Sequence, residues 1–212
     1  MEVLALRVGN SKGYFNLTEL IISSNWNTLI VLDSCSYKLF KQECTLNGLL
    51  YRAQSKGHDT TTFYESLPSL KYVTLYSANE QLCKNRAIKR KFKEVIPSKN
   101  SYIWDNLLEA QSIDERIIIQ TLLPRLPNQG EYADLWFKLK EKHKLDTTKF
   151  YDIIEKQNIK TNDVLASNLR VALQAIGKNI DKLERPVVIT SSHGYPSKQE
   201  EDIHIVPWFI VD

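Results

Sequence analysis

The sequence predicts an α/β fold: a Rossmann-like parallel sheet flanked by helices, with a helical middle section. Three observations predict it. Short runs rich in Val, Ile and Leu recur along the chain, helical stretches separate them, and four of the runs end in small polar residues. At 212 residues, the expectation is a single domain over 1–212. Hydrophobic residues at 42% and charged residues at 25% exclude a disordered chain. No apolar run approaches the ~20 residues that span a bilayer, and no basic-then-apolar leader is seen. The cysteines Cys35, Cys44 and Cys83 lack CxxC spacing, which excludes a zinc ribbon and speaks against a disulfide framework. A cytoplasmic, reducing compartment without membrane contact is expected.

The elements follow in order. Val3–Val8 reads as the first parallel strand, ending at Gly9. Asn16, with Glu19 three residues on, opens a helix carrying Leu17, Leu20 and Ile21. Thr28–Leu32 is the second strand and, after a mixed stretch through Phe63, Tyr72–Tyr76 is the third. Ser77 and Glu80 then cap a helix with Ile88, Phe92 and Val95 on one face, stopped by Pro97. Trp104, Leu107 and Leu108 start another. Ser112 with Glu115 precedes the run Ile117–Leu123, read as part of a helical layer from Ser77 to Gly177. Pro124, Pro127 and Gly130 mark a loop. Tyr132, Leu135, Trp136 and Leu139 have amphipathic helix spacing. Asn162 caps a last helix that buries Leu165, Leu169, Ala172, Leu173 and Ile176 and stops at Gly177. Val187–Thr190 and Ile203–Val211 close the chain as strands.

In open α/β sheets, ligands bind outside the carboxyl ends of the strands. Those ends carry Gly9, Asn10 and Ser11; Asp33, Ser34, Cys35 and Ser36; Ser77 and Asn79; and Ser191, Ser192, His193 and Tyr195. As parallel neighbours, they would bring hydroxyls, a thiol, a carboxylate and an imidazole to one rim. The plain alternative is that such residues simply suit turns and caps. GxGxxG, GxxxxGK[ST] and HExxH are absent, and His58, His143, His193 and His204 are scattered, so no cofactor and no metal are expected. Net charge is only +3, but Lys84, Arg86, Lys89, Arg90, Lys91, Lys93 and Lys99 cluster with Glu94 as the only acid between them. On a helix these cations form either a solvated face or a footprint for nucleic-acid phosphates.

The order of these features resembles the tRNA-dependent cyclodipeptide synthases. LALRVGNSKGYFNLTELIISSNW is similar to that family's opening strand, Gly-Asn turn and helix; TLIVLDSCSYKLF to its second strand; and YRAQSKGHDTTTFYESL to the helix before its third. The resemblance implies an aminoacyl transferase that makes a cyclic dipeptide from two aminoacyl-tRNAs. Asn10, Ser11, His193 and Tyr195 would be catalytic, with Arg7, Gly9, Asp33, Cys35 and Ser36 around the substrate. Lys84, Arg86, Lys89, Arg90, Lys91 and Lys93 would hold tRNA. Arg7 stands where the family has its nucleophilic serine, and the late helix lacks the family's Tyr and Glu. Two competing readings are a caspase-like cysteine hydrolase using Cys35 and His193, whose strand order would be reversed, and a non-catalytic binding protein.

Overall fold

The computed structural model describes residues 13–98, 116–143, 146–195 and 201–212. The expected strand Val3–Val8 lies outside the described residues, as do Arg7, Gly9, Asn10, Ser11, Lys99, the segment Trp104–Leu108, and Ser112 with Glu115.

The chain runs β1 (Phe15–Asn16), α1 (Leu17–Ser23), β2 (Thr28–Asp33), α2 (Tyr37–Glu43), β3 (Gly48–Gln54), α3 (Thr60–Ser66) and β4 (Leu70–Ser77). It continues through α4 (Glu80–Lys84), α5 (Arg86–Lys89), β5 (Phe92–Pro97) and β6 (Ile117–Pro124). Then come α6 (Ala133–His143), α7 (Thr147–Lys156), α8 (Thr161–Asn179), β7 (Val187–Ser191), α9 (Glu201–His204) and β8 (Ile205–Val211). The strands form one eight-stranded sheet in the order β1-β3-β8-β7-β2-β6-β4-β5. Every pairing is parallel except the two made by β8, so this single strand runs against the other seven. The fold is α/β with a mixed sheet, as the sequence predicts in class.

β2 explains why the sheet is covered twice. All six of its residues are buried, and its side chains alternate between two cores. Ile30 and Leu32 join Phe40 of α2 and Leu169, Leu173 and Ile176 of α8. Leu29 and Val31 join Leu20 and Ile21 of α1 and Phe63 of α3. Each such aliphatic side chain contributes roughly 1.5–3 kcal/mol by leaving water. A third cluster joins Trp136, Phe150, Tyr151, Ile154 and Leu165 of α6–α8, with Tyr195 packed against it.

Two expectations fail in the middle. Ile117–Leu123 is a buried central strand, β6, between β2 and β4. Three consecutive isoleucines suit a strand buried on both faces better than a helix. The expected helix around Lys84–Lys93 is three pieces. Asn85 ends α4 and caps α5, accepting from Ala87 N and Ile88 N, and Phe92 begins strand β5. Pairing of Leu75 with Val95 prevails over helical spacing, so Pro97 ends a strand rather than a helix. Two smaller corrections concern caps. Asn79, not Ser77, caps α4, and α8 runs past Gly177 to Asn179 with no side-chain cap at its start. A Cβ at Gly177 would sit 3.0 Å from Leu46 Cδ2, so this glycine serves packing instead. β3 corrects the resemblance, which makes YRAQSKGHDTTTFYESL a helix: Tyr51–Gln54 pair with β8 as strand, and the helix, α3, begins only at Thr60.

Candidate functional site

β7, β2 and β6 are adjacent, and their carboxyl ends bring five polar side chains together with Thr60, the first residue of α3. Asp33 and Ser34 come from β2, and Ser191, Ser192 and His193 from β7. All are buried, His193 to 1% exposure.

The chain is forced into this corner. Ser34 adopts a left-handed backbone (φ 62°), which is rare for a residue with a side chain. It is held from both sides. Cys35 N donates to Ser191 Oγ at 3.1 Å, and Ser36 Oγ then caps α2 by accepting from Leu39 N at 3.3 Å. Ser192 N donates to Leu32 O at 3.1 Å, while Ser55 Oγ donates to Ser192 O at 2.6 Å, tying the end of β3 to β7. Gly57 N in turn donates to Ser55 Oγ at 3.1 Å. A Cβ on Gly57 would lie 2.6 Å from Phe63 Cβ, so the loop that delivers Thr60 can pass only as glycine.

His193 is hydrogen-bonded through both ring nitrogens: Nε2 is 3.0 Å from Ser34 Oγ and Nδ1 is 2.9 Å from Ser192 Oγ. Ser34 Oγ also lies 3.3 Å from Asp33 Oδ1, which accepts from Thr60 Oγ1 at 3.1 Å. Burial pushes the Asp33 carboxyl up to about 6, against the opposing pull of Arg125 and of the Thr60 and Ser34 hydroxyls. Burial, then the Arg125 charge, holds His193 down at about 4. At neutral pH this is a carboxylate beside a neutral imidazole that hydrogen-bonds a serine hydroxyl.

Arg125 follows β6 beside the rim, where its charge acts on both Asp33 and His193. Its N donates to Asp33 O at 3.2 Å, and Tyr151 Oη donates to its carbonyl at 2.8 Å. Asn168 Nδ2 holds the preceding carbonyl, of Pro124, at 2.9 Å. Sequence reasoning missed Arg125 because it took β6 for a helix, and missed Thr60 because no strand was assigned before it. Reading the Ile-rich run as a strand would have placed Arg125 on the rim.

A cleft of about 200 Å³ opens over Ser34, with Ser36, Lys38, Leu39 and Tyr195 among its walls, together with the carboxylates of Asp163 and of Glu43, the latter paired with Arg170 at 2.7 Å. Tyr195 stacks against Tyr151, ring centroids 5.1 Å apart. Thus Asp33, Ser36, His193 and Tyr195 do converge with Ser34. Cys35 does not: its side chain packs in the apolar core with Phe40 and Leu169, and burial there raises its thiol far above the range where a thiolate forms. The basic residues lie elsewhere. Lys84 pairs with Glu80 at 2.7 Å, and Lys91 Nζ caps the carbonyls of Glu65 and Leu67. Arg86, Lys89 and Arg90 are exposed on one face of the single turn α5 and its C-cap, and Lys93 is exposed on the edge strand β5, so the six basic residues are spread over separate elements rather than along one helix.

Among the described residues, no group of three or more His, Cys, Asp or Glu is placed to hold a metal ion. Asp33 and His193, 3.8 Å apart, offer one carboxylate and one imidazole, with Asp33 Oδ1 and both ring nitrogens already engaged by hydroxyls. This falls short of the three or four protein ligands of a zinc centre. No helix among the described residues is long and apolar enough to cross a membrane.

No protein-family model matches the chain, and no curated protein matches it in sequence. Among solved structures it is similar to a protein in the alkaline phosphatase superfamily from Vibrio parahaemolyticus, at 10% identity and a TM-score of 0.53. That match covers 90% of this chain and 61% of the other, so this chain spans about three fifths of its neighbour's length. Ps i-CgsB in complex with k-i-k-neocarrahexaose aligns at 13% identity and a TM-score of 0.44, over 89% of this chain and 66% of that one. At these identities the likeness is one of fold. It corrects the resemblance to cyclodipeptide synthases, because the fold neighbour belongs to the alkaline phosphatase superfamily. The tRNA-dependent transferase reading falls with it, and nothing found supports the cysteine-hydrolase or non-catalytic binding readings.

Proposed function

We propose that the rim is the active site of a phosphate-ester hydrolase in which Ser34 is the nucleophile and His193 its base. One observation carries this reading: Ser34 Oγ lies 3.0 Å from His193 Nε2, on a left-handed corner under a cleft. A hydroxyl becomes a competent nucleophile when an adjacent base, itself oriented by a third group, can take its proton. Here Ser192 Oγ is that third group: by accepting from Nδ1–H, it leaves the Nε2 lone pair facing Ser34, whose hydroxyl proton turns from Asp33 Oδ1 at 3.3 Å to Nε2 at 3.0 Å before attack.

Ser34 Oγ attacks phosphorus, and its proton passes to Nε2. The bond from phosphorus to the leaving oxygen breaks, and that oxygen takes the proton from Nε2. Water, deprotonated by His193, then attacks the seryl phosphate; the Ser34 Oγ–phosphorus bond breaks, Oγ takes the proton back from Nε2, and phosphate leaves. Arg125 and Lys38 offset the anionic charge, Arg125 from beside Asp33 and Lys38 from the cleft wall. Ser34 has no exposed surface, so Leu39 and Tyr195 must part before phosphorus reaches its oxygen. Glu43, paired with Arg170, and Asp163 also line the cleft, so the anionic ester as substrate class rests on the fold shared with an alkaline phosphatase superfamily protein, with Arg125 and Lys38 as the cations nearest Ser34.

The test is hydrolysis of p-nitrophenyl phosphate and bis(p-nitrophenyl) phosphate by the purified chain. Turnover lost in both Ser34→Ala and His193→Gln supports the reading. Absence of turnover from pH 5 to 9, or turnover that survives Ser34→Ala, contradicts it.

A further inference from the structure

A second cleft, of about 540 Å³, lies beside the first. This volume is within the range of small-ligand sites. Its walls come from two elements whose sequence directs the same residue types into it. On α2, Lys38, Lys41 and Gln42 fall at i, i+3 and i+4 and so share one face, while Phe40 is turned into the core against Phe209. On β3, Leu50 and Arg52 share a face by strand alternation; Leu50 meets the core beneath α2, and Arg52 emerges beyond it. Tyr37 and Tyr14 complete the walls, with Ile205 as an apolar patch.

The lining thus holds three cations and two phenol rings and, among the described residues, no carboxylate. Among the described residues, Lys38 and Lys41 have no ion pair that would consume their charge. The Arg52 guanidinium stands 5.0 Å above the Tyr37 ring, presenting a flat cationic surface on which another ring can stack. Lys38 and Gln42 also line the cleft over Ser34, so the two clefts meet along α2.

We infer that the larger cleft is a binding site for a nucleoside di- or polyphosphate. The base stacks in the Tyr37–Arg52 region, and the phosphates lie along Lys41 and Lys38 toward Ser34. Three cations call for more than one phosphate, and paired phenol and guanidinium planes call for a planar ring. Nucleotide binding stands independently of the Ser34 reading; only the direction of the phosphates rests on it.

Isothermal titration tests this with ADP as probe, against adenosine and inorganic pyrophosphate, using the wild-type chain. ADP is expected to bind more tightly than either fragment. Arg52→Ala and Tyr37→Ala should each weaken ADP about tenfold, and Tyr37→Ala should leave pyrophosphate unaffected. Arg90→Ala, which removes one equal charge at the β5 edge, should leave ADP binding unchanged. No ADP binding at millimolar concentration, pyrophosphate binding as tightly as ADP, or equal losses in Arg52→Ala and Arg90→Ala would each overturn the inference. The outcomes separate the two claims. ADP binding without p-nitrophenyl phosphate turnover removes only the Ser34 reading, and turnover without ADP binding removes only this one.

Discussion

The rim over β2 and the edge at β4–β5 both drew notice for their residue types, yet the structure treats them oppositely. At the rim, Asp33, Ser34, Thr60, Ser192 and His193 are linked by contacts of 2.9–3.4 Å and shielded from water. At the edge, Arg86, Lys89 and Arg90 are exposed on the single turn α5 and its C-cap, and Lys93 on the edge strand β5. Interactions between exposed charges are screened within roughly 8–10 Å at physiological salt, whereas buried groups feel one another at low dielectric. The lesson is that a cluster in sequence gains chemical meaning only where the backbone fixes its members together and excludes water.

The largest expected effect is on catalysis. Ser34→Ala should lower kcat for p-nitrophenyl phosphate by at least about a thousandfold, and His193→Gln by a similar factor. Thr60→Ala, which leaves the Ser34–His193 contact in place, should cost far less. Equal losses at all three would turn the rim into a merely structural network. The rate should also rise with pH through about 4, as His193 loses its proton and becomes able to take that of Ser34, and vary little through neutrality.

Next comes a stability effect specific to the dry rim. Asp33 is raised from 3.8 to about 6, so its contribution is fully present below 3.8 and lost as pH rises through 6. His193 is lowered from 6.5 to about 4, so stability is lost as pH falls from 6.5 toward 4. The two trends oppose each other between about pH 4 and 6, and the wild type should vary little there. Asp33→Asn removes the cost of holding a buried carboxylate and should stabilise the fold at pH 7 by up to about 3 kcal/mol. It should also expose the His193 trend, with stability falling as pH drops from 6.5. Urea denaturation across this range checks both signs.

Gly57→Ala follows. The added Cβ meets Phe63 backbone and side chain at 2.6–2.7 Å, so displacement of the Thr60 loop should cost about 1–3 kcal/mol, read as a lower urea midpoint. The smallest effect belongs to the edge. Reversing Arg90 and Lys93 to Glu should shift Tm by no more than about 2 °C and leave hydrolysis unchanged. A large loss there would erase the contrast between the two regions.

How much of this was legible in the sequence follows from the same contrast. The Asn16 cap and the Thr28–Leu32 strand are local signals, and the structure keeps both. So is the amphipathic spacing from Tyr132 to Leu139, which becomes α6. Asp33, Ser36, His193 and Tyr195 were legible because strand ends announce themselves through small polar residues. Arg125 and Thr60 were not. Each depends on which strands are neighbours, and β6 enters the sheet beside β2 from more than 80 positions away in sequence. The Lys84–Lys93 segment misled for the complementary reason. Its apolar spacing fits a helix, but pairing with β4 lies outside any local window.

The most direct measurement of the central claim is active-site labelling with a fluorophosphonate, which phosphonylates a serine activated by a base. Intact-mass and peptide analysis should show one adduct on Ser34, absent from Ser34→Ala and strongly slowed in His193→Gln. No adduct on the folded protein, or an adduct on Thr60 instead, would contradict the assignment of Ser34 as the nucleophile.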